Sequence, residues 1–129
     1  LSKGDTCGDP VPLTIEGSAD IVVLGNTQGF ANDAAASALC GSAGAGPDAV
    51  YQVTTPVAGT YSFVTTGSFN TVTYARSTCG DGGSQIACDS PIGTNDSNVD
   101  VTTQNGGAPF VWVDGTSNSS GNYRLTISH

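Results

Sequence analysis

The feature that most constrains this chain is a succession of short apolar–polar alternations cut apart by glycine-rich turns. Tyr61 and Phe63 share one side of Gly59–Thr66, and Val72 and Tyr74 share one side of Asn70–Ser77. Val99 and Val101 do the same in Val99–Thr103, and Tyr123, Leu125 and Ile127 in Asn122–Ser128. A period of two marks a strand with one buried face. Leu13–Glu16, Ile21–Leu24, Ala49–Thr54 and Phe110–Asp114 are further β-type runs. Gly17-Ser18, Val57-Ala58-Gly59, Asn105-Gly106-Gly107 and Gly115–Gly121 separate them with turn chemistry. About eight short strands at this spacing predict an all-β fold, a two-sheet antiparallel β-sandwich. The expected core is Val50 or Tyr51, with Val53, Tyr61, Phe63, Val72, Tyr74, Val101, Val111, Val113, Leu125 and Ile127.

Composition agrees where it bears on helix. Met is absent, Lys and Arg total 3, and Glu16 is the only glutamate. The one helical alternative is a single turn over Ala34–Leu39 capped by Asn32 or Asp33, but Cys40-Gly41 ends it, so this stretch is expected to be irregular. The 129 residues fit one domain, with 1–45 supplying N-terminal strands and an irregular loop and 46–128 the main body. The chain begins at Leu1 rather than Met, which reads as a processed mature form.

Cys7, Cys40, Cys79 and Cys88 allow three pairings. No C-x-x-C spacing occurs and the only histidine is His129, so a zinc site is disfavoured. Two disulfides are expected, Cys7–Cys40 and Cys79–Cys88, the second stapling the polar loop Gly80–Ala87. Such bonds belong to an oxidising compartment, so the chain is expected to be secreted or on a cell surface. The net charge of −8 repels nucleic acid phosphate and anionic lipid. No run approaches the roughly 20 apolar residues that span a bilayer, so neither a nucleic acid partner nor membrane insertion is expected.

Catalytic signals are weak. A serine nucleophile needs a positioned base, His129 is terminal, and no G-x-S-x-G elbow is present. Ten aspartates leave a carboxylate pair open, but none sits in a distinctive motif. The expectation is a protein that binds or displays something and is not an enzyme. Aromatic side chains can stack on sugar rings. If Val111 and Val113 point inward, Trp112 and Phe110 face outward as a strip beside Tyr74 or Tyr123; the opposite phase puts Trp112 in the core. Asp89, Asn95, Asp96 and Asp114 form one loop set with calcium-type oxygen ligands. Turn-forming Asx residues explain them more simply, without a metal. Asn95-Asp96-Ser97 and Asn118-Ser119-Ser120 fit the glycosylation triplet, which a polar chain also produces by chance.

Several stretches in order resemble the bacterial pre-peptidase C-terminal (PPC) domain. They are Gly46–Val53, Ala58–Phe63, Asn70–Arg76, the Cys79 to Cys88 segment, Phe110–Gly115 and Gly121–Ile127, covering residues 46–128. The Cys-containing variety is similar to modules in large secreted or surface proteins of predatory and soil bacteria. The resemblance implies a jelly-roll-like sandwich attached to secreted hydrolases or adhesins, similar to collagen-binding and carbohydrate-binding modules, some of which hold Ca²⁺. It also implies calcium ligands near the domain start and at Asp48, hence the set Asn32, Asp33 and Asp48. Two departures weaken that site: Val50 and Asn70 stand where family members often carry Asp. The expected function is therefore a non-catalytic accessory module binding polysaccharide or a collagen-like extracellular protein. The alternative is a structural subunit of a filament, pilus-like fibre or surface layer, self-associating through an edge strand, with residues 1–24 as a donor segment.

Overall fold

The computed structural model describes residues 4–16, 20–30, 46–90, 94–116 and 119–129. Nine strands form among them: β1 (Val11–Thr14), β2 (Ile21–Asn26), β3 (Ala49–Thr54), β4 (Gly59–Gly67), β5 (Thr71–Arg76), β6 (Gln85–Asp89), β7 (Ser97–Thr103), β8 (Phe110–Gly115) and β9 (Asn122–Ser128). They make a five-stranded sheet ordered β1-β3-β8-β5-β6 and a four-stranded sheet ordered β2-β9-β4-β7. Every pairing is antiparallel except β1 with β3, which is parallel. The parallel pair needs no hairpin, because the chain leaves β1 for the other sheet before returning at β3.

The expected all-β sandwich is the observed fold. All eight expected runs keep their places to within two residues; Leu13–Glu16 is shifted as a whole, to Val11–Thr14. The additional strand is β6, inside the segment read as a loop, where Ile86, Ala87 and Cys88 pair with β5 across a register shift at Ala75/Arg76. The turn at Asn105-Gly106-Gly107 forms as expected, with Gly106 at φ +74 and the Gly107 N–H donating to Gln104 O at 2.9 Å. Only glycine takes that left-handed backbone without steric cost. The Asn32–Leu39 stretch and its helical alternative lie outside the described residues.

Alternation fills the space between the sheets. Tyr51, Val53, Val111 and Val113 from one sheet meet Tyr61, Phe63, Val99, Val101, Leu125 and Ile127 from the other, all buried. Ile21 and Val23 of β2 pack against the same core. One end of this core is polar. Thr73 donates to Thr65 Oγ1 at 2.8 Å, while Ser97 shares hydroxyl bonds with Thr73 (2.6 Å) and Thr71 (2.8 Å), and Thr71 donates to Asn95 O at 2.7 Å. Buried hydroxyls satisfied in this way incur little desolvation penalty. The buried Tyr51 and Tyr123 phenols hydrogen-bond to each other. Gly25 makes room for that arrangement, because a Cβ there would overlap the Tyr123 ring.

The disulfide pairing differs from expectation. Cys7 is bonded to Cys79, 72 residues away, so neither Cys7–Cys40 nor Cys79–Cys88 forms. Cys88 is not a free thiol, and Cys40 lies outside the described residues. The staple expected across the Cys79–Cys88 loop is unnecessary, because Gln85–Asp89 is held by strand pairing. Cys7–Cys79 instead ties the N-terminal loop to the outer face of the five-stranded sheet. The donor-segment expectation for residues 1–24 also meets the fold directly: β1 and β2 both pair within their own chain.

Candidate functional site

Each sheet has a face turned away from the central core, and the two faces differ. On the five-stranded sheet, Val50, Val72, Tyr74, Cys79 and Trp112 form a second buried cluster, with Phe110 and Cys88 packed against it. Val111 and Val113 do point between the sheets, so Trp112 lies on the opposite side as one phase anticipated. It is nevertheless only 1% exposed. The register places Trp112 of β8 opposite Tyr74 of β5, and the two rings stack with centroids 5.4 Å apart. The Arg76 guanidinium lies 4.7 Å from the Trp112 ring, and Arg76 Nη1 donates to Cys79 O at 3.1 Å. Arg76 thus joins the aromatic layer to the loop that carries the disulfide.

The expected aromatic strip is therefore corrected. Trp112, Tyr74 and Phe110 are brought together, but beneath a cover, with Trp112 and Tyr74 buried and Phe110 half-buried. Tyr123 belongs to the other sheet and to the central core. Trp112, Tyr74 and Tyr123 are too buried to present the open ring face that stacking on a sugar requires.

The same covered face holds buried acids. Asp114 and Asp48 are both inaccessible to solvent. The Tyr74 hydroxyl donates to Asp114 Oδ2 at 2.7 Å and the Gly115 N–H to Asp114 Oδ1 at 2.8 Å. Burial pushes the Asp114 carboxyl up to about 9, against which the Tyr74 and Gly115 hydrogen bonds pull down; the Asp48 charge raises it further and Arg76 lowers it. Burial also drives the Tyr74 phenol well above its ordinary range, with the neighbouring Asp114 charge adding to it. At neutral pH Asp114 is held as the acid, a hydrogen-bonding group rather than an anion.

Of the first expected calcium set, Asn32 and Asp33 lie outside the described residues and Asp48 sits near Asp114. The second set is not assembled as expected. Asp114 is engaged with Tyr74, Asp89 Oδ2 accepts from the Asn98 N–H at 2.8 Å, and the Asp96 N–H donates to Thr94 Oγ1 at 3.2 Å. Among the described residues, no three His, Cys, Asp or Glu side chains form a group that could hold a metal. Asn118 of the second glycosylation triplet lies outside the described residues. No helix among the described residues is long and apolar enough to cross a membrane.

The four-stranded sheet is open on its outer side. Alternation turns Val22 and Leu24 of β2, Ser62, Val64 and Thr66 of β4, Asn98, Asp100 and Thr102 of β7, and Arg124 and Thr126 of β9 outward. Register aligns them in rows. Val22, Thr126, Val64 and Asn98 form one, and Leu24, Arg124 and Thr66 the next. Asn26 Nδ2 donates to Asn122 Oδ1 at 2.9 Å and the Thr60 and Thr102 hydroxyls meet at 2.9 Å, so cross-strand pairs stiffen the surface. A shallow cavity of about 380 Å³ opens beside Leu24, lined by Thr66, Gly67, Ser68, Asn122, Tyr123 and Arg124. Tyr123 apart, the sequence did not single out these residues as a site. The available signal was Ile21–Leu24: four consecutive apolar residues in a strand must turn two of them outward.

No family profile matches the chain, and neither does any curated protein. Solved structures do. The chain aligns with the pre-peptidase C-terminal domain of a collagenase from Bacillus anthracis at TM-score 0.59 and 14% identity, covering 92% of this chain and 96% of that one. The fold is PPC-like. A weaker likeness, at TM-score 0.48 and 12% identity, is to Aeromonas hydrophila PliG, a periplasmic inhibitor of g-type lysozyme, over 92% of this chain and 95% of that one. The PPC-like fold here combines a buried second cluster on one sheet with an open, mostly uncharged face on the other.

Proposed function

We propose that this chain is a non-catalytic accessory module of a secreted or cell-surface protein, and that it binds an extracellular polymer through the outer face of the four-stranded sheet. The polymer is a collagen-like protein or a polysaccharide. The observation that carries this reading is the end-to-end likeness to a domain carried by a collagenase. The Cys7–Cys79 bond supports an oxidising location outside the cytoplasm. The open face supplies hydroxyls, amides and one guanidinium on a rigid sheet, with Val22, Val64 and Leu24 as apolar contacts. A flat surface whose only charges on the outward rows are Arg124 and Asp100 suits a long polymer that offers its own hydroxyls or backbone amides. Preformed sheets also bind with little ordering cost.

The test is co-sedimentation with insoluble collagen and with a panel of insoluble polysaccharides. Binding to one polymer that is lost in Thr126→Arg and in Arg124→Glu, with the Trp112 fluorescence spectrum unchanged, supports the reading. Failure to sediment with every polymer would remove it. Calcium enters this proposal only through the set that the resemblance implies, Asn32, Asp33 and Asp48. A thermal melt with calcium and with EDTA tests it, because a ligand of the folded state raises the melting temperature. Coincident melts set calcium aside.

A further inference from the structure

Sheet edges are where one chain adds to another, and proteins guard them. The described residues have four such edges, β1 and β6 in one sheet and β2 and β7 in the other. Three carry a guard. β1 has only four residues and contains Pro12. β6 has five residues, joins β5 through an irregular register and ends in Asp89. β7 presents Asp100 at its middle, exposed. β2 carries none: its sequence is Ile-Val-Val-Leu-Gly-Asn, without charge or proline, and among the described residues it is paired on one side only, with β9.

The outward side chains of β2 point the same way. Leu24 is 74% exposed and Val22 is 56% exposed, two of the four large apolar residues left in solvent among the described residues. Ile21 and Val23, on the inner side, are half-buried against the core, which ends at this strand among the described residues.

We propose that two copies of this chain associate through β2, antiparallel about a two-fold axis, joining their four-stranded sheets into one of eight strands. Pairing centred on Val23 sets Val22 of each copy opposite Leu24 of the other and Ile21 opposite Gly25. The Val22–Leu24 and Ile21–Gly25 contacts are then apolar or backbone, and the last alignment brings Asp20 against the Asn26 amide rather than against another acid. The net charge of −8 on each chain opposes association in general, but none of it lies on β2. A two-fold contact uses each β2 edge once and closes, so a dimer forms and not a fibre. The two open faces become one continuous surface.

Sedimentation equilibrium of the intact, oxidised chain between about 1 and 500 µM at near-physiological salt tests this; that window spans weak to moderate affinity. The weight-average mass is expected to climb toward twice the chain mass. Leu24→Lys and Leu24→Glu are each expected to move the midpoint at least about tenfold upward in concentration, corresponding to about 1.4 kcal/mol. Both substitutions fall on a solvent-exposed side chain, and an unchanged Trp112 emission spectrum verifies the fold. Asp100→Asn, on the opposite edge, is expected to leave the midpoint in place. A monomer at every concentration overturns the proposal, as does a dimer unaffected by either Leu24 variant. Open-ended growth in mass overturns the two-fold arrangement.

Discussion

The outer face of the five-stranded sheet and the outer face of the four-stranded sheet are built from the same alternation yet have opposite fates. On the first, Trp112, Tyr74, Val72 and Val50 are sealed against solvent, and the loop bearing Cys79 is tied to the N-terminal loop by Cys7. On the second, threonine, serine, asparagine and a few valines stand open. The composition of each face decides its role. Large aromatics left in water would be a hydrophobic liability, so they require a cover. Small β-branched and amide side chains do not, and that sheet remains available for contact. The pairing teaches that the most aromatic surface of a sandwich is not automatically its binding surface.

Substitutions on the covered face should be the most damaging. Trp112→Ala removes a buried indole and its stacking with Tyr74 and Arg76, and is expected to cost about 3–5 kcal/mol, read by chemical denaturation. A loss below 1 kcal/mol would mean that this face is not sealed. Replacing Cys7 by Ser opens a bond between residues 72 apart. Its expected cost is about 2–4 kcal/mol. The emission of Trp112, the only tryptophan, should shift to the red as the N-terminal loop detaches.

The acids beneath the cover give a pH signature. Asp114 ionises near 3.8 when unfolded and is pushed up to about 9 in the fold, so the native state holds the extra proton between those values. Its contribution to stability is complete below about pH 4 and declines as pH rises toward 9. The Tyr74 hydrogen bond and Arg76 pull the Asp114 value down and the Asp48 charge pushes it up, so all three set where that decline falls. Melting temperatures from pH 4 to 9 should fall less steeply for Asp114→Asn than for the unsubstituted chain; equal slopes would assign the pH dependence elsewhere. On the open face, by contrast, Leu24→Ala is expected to change monomer stability by no more than about 0.5 kcal/mol. A larger loss would show that β2 depends on a contact beyond its pairing with β9.

Much of the fold was legible because period-two runs carry their own register. Tyr61–Phe63 and Tyr123–Leu125–Ile127 announce which side of each strand is buried, and Asn105-Gly106-Gly107 announces a turn. β6 was hidden because Gln85, Ile86 and Ala87 follow a glycine-rich stretch and do not alternate strongly. The disulfide pairing was hidden for a different reason: which cysteines meet depends on how the sheets fold over one another, and sequence distance does not encode it. Trp112 shows the limit most clearly. Its side of β8 could be read from Val111 and Val113, but whether that side meets water depends on segments tens of residues away. The open face was missed because exposed threonines and asparagines carry no signal that separates a contact surface from an ordinary solvated one.

The hydroxyl chain from Thr65 through Thr73 and Ser97 to Thr71 has a mechanical consequence. Hydrocarbon packing tolerates small sliding displacements of one layer over another, whereas hydrogen bonds of 2.6–2.8 Å are directional and fail when their partners shift. Thr65 and Ser97 ride on one sheet, and Thr71 and Thr73 on the other. These groups act as a latch between the two layers, so forces applied through the open sheet reach the sealed one without shearing the sandwich.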